Sequence, residues 1–233
     1  YLKTFDVTLS VMQTAEGLSR VAREFVEDLV VDGVVYGEIR WAPEQHCEKG
    51  LSLEQAVDAV QSGLDEAVAK ATASGKAIRV GQLITAMRHN DRGMEIAQLA
   101  LAYRDRGCVG FDIAGAEAGF PPSRFADAFT HLAENMFPVT VHAGEADGVE
   151  SIRSALVDGR TLRLGHGVRI GEDIGDLSAH DAEVAGLGDV ARWVLERGVP
   201  LELSPSSNLQ TGAVAQWGTE ISHHPFNDLY RLG

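Results

Sequence analysis

Apolar residues along the chain switch repeatedly between a helical and a strand period. In residues 10–31, Val11, Ala15, Leu18, Val21, Ala22, Phe25, Val26 and Leu29 recur at helical spacing, and Asp32-Gly33 ends the run. A strand is expected over 34–41, closed by Pro43. The next helix is expected over 53–73, with Ala56, Val57, Val60, Leu64, Ala67 and Val68 on one face and Gly75 as its cap. The pattern continues as strand 78–87, helix 92–106, strand 109–113, helix 123–135, strand 139–142, short helix 148–157 and strand 162–164. Residues 165–188 are polar and glycine-rich and read as a long loop. Helix 184–197, a sixth strand at 200–203 and the start of a helix at 225–232 complete the chain.

Strict alternation of this kind implies a parallel sheet. A doubly wound sheet would announce itself with a Gly-x-Gly-x-x-Gly turn after its first strand, and none is present. Polar residues instead follow nearly every strand: Arg40, Arg88-His89-Asn90, Asp112, His142, His166 and Ser204. A barrel gathers all its strand ends at one mouth. The expected fold is therefore a TIM (β/α)8 barrel in one domain over 1–233, with about six of its eight parallel strands in this chain. The strands ending at these polar positions are expected to be parallel neighbours.

Composition narrows the function. The chain has 233 residues and a formal net charge of -14, which disfavours nucleic acid and anionic membranes as partners. No apolar run approaches the ~18 residues of a membrane span. Two cysteines, Cys47 and Cys108, make no disulfide framework and no Cys-x-x-Cys pair, so a reducing cytoplasm is expected and a thiolate zinc site is not. The chain starts at Tyr1 without a methionine, and is expected to be a piece of a longer protein.

Two stretches carry the candidate chemistry. Val139-Thr140-Val141-His142-Ala143-Gly144-Glu145 reads as a buried strand ending in histidine, a glycine turn and a carboxylate. Leu162-Arg163-Leu164-Gly165-His166-Gly167-Val168 repeats the strand, glycine and histidine. His142 is either a core histidine bonded to a carbonyl or a ligand for zinc, which neutral imidazole suits. Glu145 is either a helix-start residue or a general acid. His166, between two glycines, has room to present its ring in a cleft. Phe111-Asp112-Ile113-Ala114-Gly115-Ala116-Glu117 is a turn, or else an amide and carboxylates facing a ligand. Leu203-Ser204-Pro205-Ser206-Ser207-Asn208 is a turn and helix cap, or holds a polar group of a ligand. Glu38 and Arg40, in one strand, read as a structural charge pair. His46, His131, His180, His223 and His224 read as solvated or capping.

His142-Ala143-Gly144-Glu145 and Leu164-Gly165-His166-Gly167 together resemble the adenosine deaminase family. So do Tyr36-Gly37-Glu38-Ile39-Arg40-Trp41-Ala42-Pro43, Gly110-Phe111-Asp112-Ile113-Ala114-Gly115 and Pro205-Ser206-Ser207-Asn208. The likeness covers residues from about 36 to 212 in the family's order, is strongest to bacterial, actinobacterial-type members, and extends to 1–14 as a helical segment over the pocket. It implies a zinc-dependent TIM barrel that hydrolyses the 6-amino group of adenosine and 2'-deoxyadenosine, giving inosine and ammonia in purine salvage; adenine or another 6-aminopurine is the alternative. By this resemblance His142 is a metal ligand and Glu145 passes a proton to the purine ring nitrogen. His166 orients and helps deprotonate the attacking water, and Gly115 contacts the purine through its backbone. The cytidine-type deaminase signature, His-x-Glu with Pro-Cys-x-x-Cys, is absent. In the family a first-strand His-x-His pair and a last-strand Asp also bind zinc, and these have no counterpart in 1–233. Residues 1–233 alone are therefore expected to be inactive and to hold zinc poorly.

Overall fold

The computed structural model describes residues 5–179 and 181–233. Part of the expected covering segment at 1–14, and His180, lie outside the described residues. The chain forms two compact units, one made of the chain up to Met87 with Arg92–Asp112, the other of Arg88–Asp91 with Ile113–Gly233.

The first unit holds α1 (Phe5–Val11), α2 (Ala15–Asp32), β1 (Tyr36–Trp41), α3 (Leu53–Ala73), β2 (Arg79–Met87), α4 (Gly93–Ala102) and most of β3 (Cys108–Ala114). The single helix expected over 10–31 is two. Apolar periodicity runs through the break, but Thr14 leaves helical geometry and its hydroxyl accepts the Gly17 N–H at 3.1 Å, starting α2 afresh. A Cβ on Gly17 would lie 2.7 Å from the Val11 carbonyl oxygen, so only glycine allows the turn to be this tight. Helix α3 starts at a reciprocal box, Ser52 with Gln55, and Gly75 follows its end at φ 74°, as its sequence predicts. The expected helix 92–106 stops at Ala102 and finishes as a 3-10 turn, Arg104–Arg106. Strands run in the order β1-β2-β3. β1 and β2 are parallel, Tyr36 opposite Arg79 and Trp41 opposite Ile84. Leu18, Ala22 and Val26 of α2 and Val57, Val60 and Leu64 of α3 are buried, each large side chain contributing about 1.5–3 kcal/mol.

The second unit holds α5 (Ala126–Glu134), β4 (Thr140–Ala143), α6 (Val149–Val157), β5 (Arg163–His166), α7 (Ala182–Ala185), α8 (Asp189–Arg197), β6 (Leu201–Glu202), α9 (Pro205–Thr211) and α10 (Phe226–Leu232). Its strands run β4-β5-β6, all parallel. The expected loop at 165–188 carries 3-10 turns, α7 and an antiparallel bridge, Ile174 to Leu187. The helix expected over 184–197 starts only at Asp189. Gly186 is left-handed at φ 69°, and Asp173 caps α8 from across the loop, its Oδ2 accepting the Val190 and Ala191 N–H groups at 2.9 Å each. Helix α9 was not expected. Its residues are short and polar, but Pro205 at its first position presets the helical φ.

Candidate active site

Register brings the two histidines together. His142 lies opposite Gly165 and Ala143 opposite His166. A Cβ at Gly165 would stand 2.9 Å from Cγ of His142, so the ring occupies space that any other residue would fill. Side chains alternate across a sheet, and a regular β5 would send His166 to the opposite face from His142. His166 instead has φ 65°, left-handed for a non-glycine residue. That ends the strand and turns the ring back, leaving the imidazole centroids 5.3 Å apart, edge to face.

Glu145 completes the cluster. Its Oε2 is 3.3 Å from Nε2 of His166. Its Oε1 accepts from Ser207 Oγ at 3.2 Å, Asn208 Nδ2 at 3.3 Å and Thr211 Oγ1 at 3.1 Å. Ser207 and Thr211 are one helical turn apart on α9, so both hydroxyls reach the same oxygen.

Asn208 is fully buried and joins four partners. Nδ2 reaches Glu145 and also Nδ1 of His166 at 3.0 Å. Oδ1 meets the Ser204 N–H at 3.3 Å and Nε2 of His224 at 3.1 Å. An amide nitrogen only donates. Nδ1 of His166 is therefore an acceptor, and the neutral ring carries its proton on Nε2, facing Glu145. His224 follows the same logic: Nδ1 accepts from Phe226 N–H at 3.0 Å, and Nε2 donates to Asn208. Burial pushes the His224 imidazole below its ordinary range, favouring the neutral form this chain of bonds requires.

A second set of contacts holds the turn after β4. The Glu117 carboxylate accepts backbone N–H groups of Gly144, Glu145, Ala146 and Asp147 at 2.6, 3.0, 2.6 and 3.1 Å, and the Ser151 hydroxyl at 2.6 Å. Glu117 thus faces the protein's own backbone rather than a ligand. Asp112, the other acid of that motif, is fully buried with its Oδ2 3.4 Å from Nε of Arg40. Arg40 is accordingly structural, as its strand position suggests, while Glu38 bonds to Tyr36 at 2.7 Å. Buried Arg88 donates to the carbonyl oxygens of His142 and Phe120. Gly115 follows β3 at φ 99°, two residues before Glu117.

The structure thus gathers His142, Glu145 and His166, and ties the segment after Gly115 to the turn bearing Glu145. No sequence signal points to Thr211; His224, expected to be solvated or capping, is buried and caps, its Nδ1 accepting the Phe226 N–H at the start of α10. His46 is likewise buried, its Nδ1 2.8 Å from the Met12 carbonyl oxygen. His223 does cap, meeting the Glu220 N–H at 3.4 Å. The signal for α9 was its spacing: Ser207, Asn208 and Thr211 share one face only if the segment is helical. Both cysteines are thiols, and burial raises Cys108 to about 11, well away from thiolate chemistry.

Among the described residues no group of three or more His, Cys, Asp or Glu side chains is arranged to hold a metal ion. Glu145 is engaged by α9 and Nδ1 of His166 by Asn208. His142 suits a metal as one donor, but the described residues do not complete a donor set. Among the described residues no helix is long and apolar enough to cross a membrane.

The adenosine deaminase family model matches residues 1–233. The chain is 53% identical to adenosine deaminase 1 of Streptomyces coelicolor over all of its own length and 57% of that protein's. It spans between 57% and 62% of the length of the curated adenosine deaminases it matches. Among solved structures, adenine deaminase from Arthrobacter aurescens superposes with a TM-score of 0.79 at 26% identity, over 98% of this chain and 63% of that one. The Arabidopsis ADAL structure complexed with IMP gives 0.79 at 27% identity, over 98% and 62%. The fold class is that of these deaminases, the TIM (β/α)8 barrel, with six parallel strands among the described residues. With the histidine-ended strands, the carboxylate turn and the match along the whole sequence all in agreement, the chain belongs to the adenosine deaminase family.

Proposed function

We propose that the full-length protein hydrolyses adenosine and 2'-deoxyadenosine to the inosine product and ammonia. The observation that carries this reading is the contact of Glu145 with His166 beside His142, in a chain of this family. Carbon 6 of the purine is a weak electrophile. Protonation of the adjacent ring nitrogen by Glu145 withdraws electron density from it, which is general acid catalysis. His166 orients the attacking water by donating a hydrogen bond from Nε2, and a proton released by that water passes to the departing amine. As the bond from carbon 6 to nitrogen breaks, the departing amine takes up a proton and leaves as ammonia. Gly115 offers backbone contact to the purine; its left-handed geometry leaves no side chain in the way.

The family is metal-dependent. We assign zinc to the full-length protein, with His142 the ligand contributed by this chain. Bound zinc supplies Lewis acidity that makes water nucleophilic near neutral pH. The substrate is a small purine compound, with neither nucleic acid nor membrane as partner. Two thiols and no disulfide fit a cytoplasmic setting.

Adenine is the second reading, supported by the likeness to an adenine deaminase. A phosphorylated substrate is less well supported. Arg40 is engaged by Asp112, Arg88 by two carbonyls, and Arg124 by Asp91 at 3.2 Å. The test is deamination of adenosine, adenine and AMP side by side by the full reading frame, with zinc content measured. Glu145→Gln is expected to keep zinc and lose ~10²–10⁴-fold in turnover, and His142→Ala to lose both. A Glu145→Gln enzyme of near-normal rate would remove the glutamate from the mechanism.

A further inference from the structure

Four consecutive backbone N–H groups, from Gly144 to Asp147, converge on one buried carboxylate, that of Glu117. Such a run of inward-pointing amides is a nest that attracts an anion. Here a side chain of the protein fills it. Oε1 takes Gly144 N–H and the Ser151 hydroxyl from the first turn of α6; Oε2 takes the other three amides. One of those amides is Glu145's own. The Glu145 side chain therefore extends from a backbone whose path is set by Glu117. At the other end of the same stretch, Arg88 bonds the carbonyls of His142 and Phe120. Two buried ionic side chains thus tie the segment 117–120 to the segment 142–147.

We infer that Glu117 is a positioning residue for the carboxylate of Glu145, acting through the backbone of the turn and not by touching substrate. This rests on the proposed role of Glu145 as the acid. The chemistry of the nest explains why the residue must be an anion. A carboxylate is acceptor-only and takes five donors without conflict, whereas an amide of the same shape must aim an NH2 group at one set of N–H donors. Glu117→Gln is therefore nearly isosteric yet incompatible with the nest.

The test uses the full-length protein. In Glu117→Gln, kcat is expected to fall about 10–100-fold, with KM within about threefold and zinc content unchanged, as displacement of a reacting group by about 1 Å can do. Two readouts separate positioning from general structural damage. In a Glu145→Gln background, Glu117→Gln should add no further loss, because its effect runs through the missing acid. Amide hydrogen exchange over 144–151 should accelerate in Glu117→Gln while exchange in β1 and β2 stays unchanged. Glu117→Asp, which keeps the charge, should recover part of the rate, and serves as the variant of record if the glutamine form does not fold. A Glu117→Gln enzyme with kcat within threefold of the parent, unchanged exchange over 144–151, or an equal loss in the Glu145→Gln background each overturns the inference. If the parent deaminates none of the three purines, the activity reading fails, and the exchange measurement still decides whether Glu117 holds the turn.

Discussion

Replacing Asn208 by alanine removes four hydrogen bonds at once: 3.3 Å to Glu145, 3.0 Å to His166, 3.3 Å to Ser204 N–H and 3.1 Å to His224. The Asn208 side chain is fully buried, so the atoms that faced it lose their partner inside the protein. Each lost bond costs about 1 kcal/mol net, and a buried group left unsatisfied costs about 1–3 kcal/mol. A water filling the vacated space restores part of this, so about 2–4 kcal/mol of stability should be lost. The catalytic loss has a separate origin. Without the donor at Nδ1, the His166 ring is no longer held in one tautomer or orientation, and kcat/KM should fall ~10²-fold. Asn208→Asp is the companion. It keeps the shape but sets a second carboxylate beside Glu145, and should lose at least as much activity with less cavity. Urea unfolding followed by circular dichroism gives the first number and adenosine deamination the second. An Asn208→Ala protein destabilised by less than about 1 kcal/mol, with kcat/KM within threefold of the parent, would refute the view that this amide organises the site.

Gly165→Ala would place a methyl 2.9 Å from Cγ and 3.0 Å from Nδ1 of His142; overpacking should cost about 1–3 kcal/mol, seen in unfolding curves, with metal content reduced as the ring is displaced. Burial holds the imidazoles of His46 and His224 below their ordinary value of 6.5. Their contribution to stability is thus complete above that value and is lost as pH falls through the lower folded values. Unfolding free energy measured from pH 7.5 to 5 should decline, and decline less in His224→Gln. Residues 1–233 expressed alone should hold zinc weakly and fail to deaminate adenosine, because a catalytic zinc normally has three or more protein ligands; one-to-one tight binding in calorimetry would contradict this.

The elements of the fold were legible where periodicity and punctuation agree. Helix α3 has an apolar stripe, a Ser52–Gln55 start and Gly75 just past its end, and it falls at the expected residues. Where an apolar stripe runs on through a cap, the sequence misleads: Thr14 divides one predicted helix into two. Helix α9 was hidden for the opposite reason, since Pro205 to Thr211 has too few apolar residues to show a stripe. In the site, His142, Glu145 and His166 announce themselves through strand ends and glycine neighbours. Glu117 and His224 do not, because their significance lies in partners 27 and 16 residues away. Nothing local distinguishes a glutamate that fills a backbone nest from one that ends a turn.

The left-handed backbone at His166, φ 65°, governs how that residue can be interrogated. For most L-residues such a conformation costs about 1–2 kcal/mol, least for asparagine and aspartate and most for β-branched side chains. Alanine or valine scanning at 166 would therefore remove an imidazole and relax a strained backbone in one step, letting β5 continue straight and carrying its neighbours with it. Any rate lost would mix chemistry with geometry. Asparagine tolerates the conformation and is the substitution that isolates the ring. The same constraint narrows what mutation can sample here: histidine sits on a backbone most residues refuse, and drift at 166 has few destinations that preserve the path of the chain.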